Sequence, residues 1–393
     1  MEKIDLEKVR SDTPGVSDRI FLDNAGASPT PNPVHQRVVR HLEFEREVGG
    51  YEAKRQCQEE LEGMYVSVAN LLNAHPGEIA FIENATRAWD MAFYGIGFKS
   101  GDRILTSSAE YSSSYLAFLQ MAQRHDISIE VIPDDEQGQI DVDALANRLD
   151  HRVRLVNLCH APTSNGLLNP AEQIGELLRD SPALFFLDAC QSAGQVPLDV
   201  ARIGCDVLTT TGRKFLRGPR GTGLLYMRRE RLEDFDPPFV DIHSAQWVGR
   251  NEFVLRPDAR RFENWESNIA GRLGLKAAVD YCAALGIDNI RQRVNRLAQK
   301  MRRQLSEIKG VELLDRGPQK TGIVTFTVPS REAESIRRAL ATQFIYVHAQ
   351  QVADARLDIE GIAKDLIRAS IHYFNTTTEI NRFCAVLEST VNN

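Results

Sequence analysis

From about residue 75 the chain alternates short apolar runs with stretches whose apolar positions recur at helical spacing. The apolar runs are Ile79–Ile82, Arg103–Ser107, Ile127–Pro133, Val153–Cys159, Ala183–Asp188, Asp206–Thr211 and Thr222–Met227. Helical spacing falls at Ala88–Gly95, Ser112–Arg124, Asp141–Leu149 and Ala171–Asp180. Continuous apolar strands between helices predict an α/β fold, with a mostly parallel seven-stranded sheet covered on both faces.

The texture changes after residue 266. Long helical patterns cover Gly271–Leu285 and Ile287–Ile308. Strands are predicted at Val311–Leu314, Ile323–Val328, Phe344–His348 and Leu366–Ile371, with helices at Arg331–Thr342 and Thr376–Val391. Thr376 with Glu379 fits a capping box for the last helix. The expected organisation is a large domain over residues 17–284 and a smaller α+β domain over 285–393, with residues 1–16 packing on one of them.

Composition narrows the function. Among 393 residues, 42% are hydrophobic and 26% charged, as in an ordinary globular protein. A formal net charge of −7 argues against a general binder of nucleic acid or membrane surfaces. The first residues carry no apolar signal core, and no stretch is long and apolar enough to span a bilayer. Cys57, Cys159, Cys190, Cys205, Cys282 and Cys384 form no C-x-x-C pair and suggest neither a metal site nor a disulfide framework. We therefore expect a cytoplasmic protein with free thiols and no bound metal.

Three polar groups sit where strands should end, the place where open α/β sheets bind ligands. Glu83-Asn84-Ala85-Thr86-Arg87 opens a helix and offers free N–H groups and a hydroxyl to a phosphate, although Asn84 or Thr86 could simply cap that helix. Asp188 ends the apolar run Ala-Leu-Phe-Phe-Leu. It suits either a cap or the partner of a buried cation such as a protonated pyridine. Lys214 follows Thr209-Thr210-Thr211-Gly212-Arg213, and the neighbouring guanidinium should lower its amine pKa and favour a Schiff base. Arg217–Gly223 is glycine-rich but lacks the Lys-Ser/Thr of a nucleotide phosphate loop.

The order of these groups resembles the fold-type I, aspartate-aminotransferase-like enzymes that use pyridoxal 5′-phosphate (PLP), and specifically their class V branch. That branch includes cysteine desulfurases, selenocysteine lyases, kynureninases and isopenicillin N epimerases. The likeness runs from Phe21-Leu-Asp-Asn-Ala-Gly-Ala to Arg368-Ala-Ser-Ile-His-Tyr-Phe-Asn. It implies that Lys214 carries the cofactor, that Asp188 pairs with the pyridine nitrogen, and that Gln191 donates to the phenolic oxygen. Thr86, with the backbone of Ala85 and Arg87, would form the phosphate loop, with Thr211 and Arg213 as further phosphate contacts. Tyr111 would lie over the ring. Arg368 would grip the substrate α-carboxylate, and Asn24, Ala25 and Gly26 would close over the substrate. Ser267 and Asn268 would reach a neighbouring subunit's phosphate, so a homodimer with its site at the interface is expected.

The departures from the pattern bear on the reaction. Thr163 stands where desulfurases carry Asn near the cofactor oxygen, and His348 follows Val347 where a further arginine is usual. Ala349–Lys364 contains no cysteine, although desulfurases keep a persulfide-accepting one there. The runs around Lys214 and Arg260-Arg261-Phe262-Glu263-Asn264-Trp265-Glu266 are more similar to ergothioneine-pathway C–S lyases and to epimerase-like proteins. The expectation is β-elimination from an S-substituted cysteine or its sulfoxide. The alternatives are a class V aminotransferase, an amino-acid epimerase and a non-catalytic PLP-binding regulator. The last would need a DNA-binding domain, for which the residues ahead of residue 20 leave no room. Tyr111, Trp247, Trp265 and His348 are candidates for recognising the substrate side chain.

Overall fold

The computed structural model describes residues 4–392. The first strand, β1 (Ile20–Phe21), lies apart from the main sheet. That sheet contains β2 (Ile79–Ile82), β3 (Arg103–Ser107), β4 (Ser128–Ile132), β5 (Val153–Cys159), β6 (Leu184–Asp188), β7 (Val207–Thr211) and β8 (Gly223–Met227). Its order is β2-β8-β7-β6-β5-β3-β4, parallel except for β8, which runs antiparallel to both its neighbours. The fold is α/β, as the alternation predicted.

The continuous apolar character of β6 has a direct cause. Phe185 and Leu187 join the core on one face of the sheet, and Leu184 and Phe186 join the core on the other. A strand covered on both faces has no polar side to display.

A hairpin follows, of β9 (Ala245–Gly249) and β10 (Glu252–Leu255). A second sheet contains β11 (Glu312–Leu313), β12 (Ile323–Thr327), β14 (His348–Gln351) and β15 (Asp365–Ser370), ordered β11-β12-β15-β14 and wholly antiparallel. Between them in sequence, β13 (Ile345–Tyr346) pairs in parallel with β1. The stretch Phe344–His348, expected as one strand, is thus two short strands with different partners. Phe344, at a left-handed φ of 58°, lies before the first of them, so the strand begins only at Ile345.

Helices Ile269–Leu285 and Ile287–Ser306 meet at Gly286, whose positive φ of 80° ends the first. The second helix places Ile290 and Val294 in the large core and Leu297, Met301 and Leu305 in the small one. We keep residue 285 as our own dividing point. The pairing of β1 with β13, and of Ile20 and Leu22 with the small core, draws residues 20–22 away from the 17–284 unit to which the sequence assigned them. The N-terminal helix Leu6–Ser11 sends Val9 into the large core, while its Arg10 bonds the Phe374 carbonyl at 2.9 Å and pairs with Glu379 at 2.7 Å. The predicted capping box forms, with Thr376 and Glu379 exchanging bonds of 3.0 and 3.1 Å. The helix expected over Asp141–Leu149 is shorter, Val142–Ala146, with Asp141 accepting from the Ala144 N–H as its cap. Helices at Asn32–Val48, Gly50–Gln56 and Gln58–Leu72 fill the region before residue 75, which carried no predicted element.

Candidate active site

Because β8 is antiparallel to both β2 and β7, strands β2, β3, β5, β6 and β7 all finish at the same sheet edge. The segments after them converge on one cavity. Ala85, Thr86, Tyr111, Thr163, Asp188, Gln191, Thr211, Arg213 and Lys214, all singled out from the sequence, line it. So do Trp89, Ser113, Ser114, Cys159 and Cys190, which were not.

Two glycines allow this convergence. A Cβ on Gly223 would stand 2.5 Å from the Asn84 carbonyl carbon, so β8 touches the backbone that opens helix Ala85–Phe93. Gly194, at φ +91°, packs against the Phe215 backbone, where a Cβ would come within 2.4 Å. The loop after Asp188 is thereby pressed onto the loop carrying Lys214.

Lys214 is 7% exposed, and its amine makes no hydrogen bond among the described residues. Burial lowers its pKa, with Arg213 and Arg368 adding to the effect against Cys190 and Asp188. The sequence argument rested on Arg213 alone; desolvation is the larger cause. The amine lies 6.0 Å from the centre of the Tyr111 ring. Asp188 is buried at the end of β6, where one carboxylate oxygen accepts from the Cys190 N–H at 2.8 Å. Gln191 donates at 3.2 Å to both the Ala25 carbonyl and Thr163 Oγ1, leaving its own buried oxygen unpartnered. Asn84 caps its helix by accepting from the Arg87 N–H at 2.9 Å, while Thr86 is exposed at the cavity rim.

One wall of the site comes from elsewhere in the chain. Arg368, on β15, is 5% exposed. It donates to Thr163 Oγ1 and pairs with Asp23 at 3.2 Å, while its buried Nε has no partner. His348 stands opposite Arg368 in the β14–β15 register, half-buried, its pKa lowered by burial and by that guanidinium. The loop Asn24–Gly26 is fastened to β15 and to the Lys214 loop. Asn24 Nδ2 donates to the Ser370 carbonyl at 2.6 Å, the Ala25 N–H to Ser370 Oγ at 2.8 Å, and Arg213 to the Gly26 carbonyl.

Other expected residues lie outside the cavity. The Arg87 side chain faces Glu83 and Asp90. Ser267 and Asn268 line a separate surface cleft with Tyr51 and Lys54, and Asn268 caps helix Ile269–Leu285. Trp247 is 77% exposed on the hairpin and Trp265 stacks under Lys54, so neither reaches the cavity of this chain.

This arrangement fits PLP. A buried amine without a hydrogen bond, a strand-end carboxylate, the Gln191 side-chain amide and a helix N-terminus surround one cavity, matching what the cofactor's aldehyde, ring nitrogen, phenolic oxygen and phosphate require. The family profile described as aminotransferase class-V matches residues 20–383. The chain belongs to the aminotransferase class V family. Members of that family are PLP-dependent enzymes of amino-acid chemistry, and so is this one.

Among class V relatives, a probable cysteine desulfurase of Pyrococcus abyssi is 30% identical, with 98% of this chain and 97% of the relative covered. One of Methanothermobacter thermautotrophicus is likewise 30% identical, over 97% of each. The apo cysteine desulfurase of Thermococcus onnurineus NA1 superposes with a TM-score of 0.93 at 27% identity over the whole of both chains. The cystine C–S lyase C-DES, solved with its product cysteine persulfide, superposes with a TM-score of 0.87 at 26% identity, covering 96% of this chain and 99% of that one. A variant of C-DES carries glycine covalently linked to PLP.

Helix Ala85–Phe93, Asp188 and Lys214 were legible as strand-end chemistry, and the resemblance added Gln191. Trp89, Cys159 and Glu110 were missed because apolar or isolated residues beside a strand give no local signal.

Proposed function

We propose that this class V enzyme is a C–S lyase that eliminates a sulfur group from the β-carbon of an S-substituted cysteine or its sulfoxide. The observation that carries this reading is the absence of a sulfur acceptor. Ala349–Lys364, which runs past the site, holds no cysteine. It is fastened down by Ser112 Oγ on the Asp354 carbonyl at 2.5 Å and by Asn165 on Asp358 at 3.1 Å. Cys159 and Cys190 do line the cavity, but burial pushes both thiols well above their ordinary range and keeps them protonated. Sulfur is thus better released in a small product than passed to the enzyme.

PLP supplies an aldehyde for joining amines and a ring that takes up the electron pair when the Cα–H bond breaks. Lys214, by its position, is the amine that holds the cofactor, and Asp188 the carboxylate that keeps the ring nitrogen protonated. Arg368 receives the substrate carboxylate, exchanging its bond to Asp23 for a bidentate pair. Lys214, freed when the substrate amine takes its place and with its pKa lowered by burial, would take the α-proton. It then returns a proton to the sulfur, which leaves with the Cβ–S electron pair, and the released enamine hydrolyses to pyruvate and ammonia. Gln191, bridged to Arg368 through Thr163, holds the phenolic-oxygen side in register with the carboxylate. Thr86, Thr211 and Arg213 are placed for the phosphate.

We also propose a homodimer. Trp247, Phe253 and Val254 on the hairpin, with Phe239 and Ile242 before it, are each more than half exposed and would be covered by a second copy. Ser267 and Asn268 would then serve the partner's phosphate. Analytical ultracentrifugation checks this, with a monomer at micromolar concentration refuting it.

The deciding experiment is a product screen on cysteine, S-alkylcysteines and their sulfoxides, with and without added keto acid. Pyruvate and ammonia released without keto acid support the lyase. Alanine with persulfide sulfur would make the enzyme a desulfurase. Amino transfer that requires keto acid, or racemised substrate, would replace the lyase reading with the aminotransferase or the epimerase.

A further inference from the structure

Between β3 and helix Ser112–His125 lies Glu110, 4% exposed and used by none of the steps above. Its carboxylate receives three donors from three elements. One oxygen accepts from Thr106 Oγ1 at 2.5 Å and from Asn157 Nδ2 at 2.6 Å; the other accepts from the Tyr111 N–H at 2.8 Å. The Asn157 amide has no freedom to turn over, because its oxygen accepts from Trp89 Nε1 at 3.0 Å and an indole N–H can only donate. The amide nitrogen must therefore face Glu110. Two of the three donors, the Asn157 amide and the Tyr111 N–H, can only donate, so they favour the carboxylate; the Thr106 hydroxyl alone could turn to accept from the protonated acid. Tyr111 and Trp89 both line the cavity, and Trp89 sits on the helix that opens with Ala85 and Thr86.

We propose that Glu110 is a positioning residue, whose buried carboxylate holds Tyr111 through its backbone and Trp89 through Asn157, locking the ring-facing wall to the helix that opens the site. Its functional meaning rests on the PLP reading of the cavity, but the network itself does not. The titratable groups facing Glu110 are Asp188, whose charge opposes ionisation, and the neutral Cys159 thiol, both at neighbouring strand ends. Burial pushes Glu110 up to about 7 against its three hydrogen bonds. The lock is thus closed above neutrality and loosened below it.

Tryptophan emission of the full chain, with exposed Trp247 and Trp265 replaced by Phe, reads Trp89 alone. Without PLP, this emission is expected to titrate with a midpoint near 7. Glu110→Gln should abolish the transition. Thr106→Val removes a donor that favours the carboxylate, so it should move the midpoint upward. With PLP added, equilibrium dialysis should show about tenfold weaker binding to Glu110→Gln, as expected from losing charge-assisted hydrogen bonds. A Trp89 signal that is flat in the parent, or that titrates unchanged in Glu110→Gln, overturns the proposal. Should that variant yield no soluble protein, an unmoved midpoint in Thr106→Val overturns it equally. A normal Trp89 titration in a chain that takes up no PLP would refute the cofactor reading alone and leave the network standing.

Discussion

The floor and the wall of the site are built differently. On the floor, Asp188, Thr211 and Lys214 sit on or just beyond adjacent parallel strands, and the ladder from β5 to β7 fixes their spacing. The wall consists of Asp23, His348 and Arg368, drawn from the N-terminal loop and from a separate antiparallel sheet. It meets the floor through a few side-chain bonds, chiefly Arg368 to Thr163 and Gln191 to the Ala25 carbonyl. A hydrogen-bonded ladder is costly to deform, whereas a handful of side-chain contacts can be exchanged for contacts to a ligand. We propose on this ground that the floor carries the cofactor chemistry and the wall the choice of substrate.

The sharpest way to break that assignment is Lys214→Ala. We expect loss of the borohydride-reducible link to PLP and a fall in kcat of about 10³-fold or more. Absorbance after borohydride treatment and single-turnover kinetics measure both. A variant that still turned over at the parental rate would end the floor's claim to the chemistry. Asp188→Asn should come next, lowering kcat by about 10²-fold and shifting the bound cofactor's spectrum, because a neutral amide cannot hold the ring nitrogen protonated. An unchanged spectrum would show that the carboxylate does not face the ring.

Arg368→Gln tests the other side. The loss of a bidentate charged pair should raise KM by about 10- to 100-fold while the spectrum without substrate stays parental. If the spectrum moved as it does in Asp188→Asn, floor and wall would be one unit and the division would fail.

The same difference explains what the sequence made legible. Strand-end residues of a buried parallel sheet announce themselves, because a polar residue that interrupts an apolar run such as Leu-Phe-Phe-Leu-Asp has few structural uses. The ladder then guarantees that consecutive strand ends lie together. Nothing local tells that Asp23 meets Arg368 or that Asn165 meets Asp358, since those partners are far apart in sequence and joined only by tertiary packing. The resemblance to class V enzymes supplied Arg368, and no residue pattern would have done so. The split of Phe344–His348 was hidden for the same reason. Its apolar alternation is real, but its two halves answer to different partners. Ser267 and Asn268 lie in a cleft separate from the cavity of their own chain, which nothing in their local sequence announces.

The smallest effect concerns how the wall is tied down. Asp358 is buried on helix Arg356–Ile359, and burial pushes its carboxyl up to about 6 although Ser164 and Asn165 hydrogen-bond its charged form. Against the ordinary value of 3.8, the folded chain therefore holds this proton more tightly than the unfolded one. The stabilisation is complete below about 3.8, shrinks as pH rises, and is gone once pH passes about 6. Asp358→Asn cannot titrate, so its stability relative to the parent should climb between pH 4 and pH 6, by about 3 kcal/mol at most. The nearby Arg316, which favours the charge, and Asp134, which opposes it, act on the parent alone. Thermal melts of both proteins at pH 4, 5, 6 and 7.5 measure the gap. A gap that does not change with pH would mean that folding leaves the proton affinity of Asp358 unchanged, with the carboxylate charged at neutral pH. The segment 349–364 would then be held by charged hydrogen bonds, and the wall would be as firmly built as the floor.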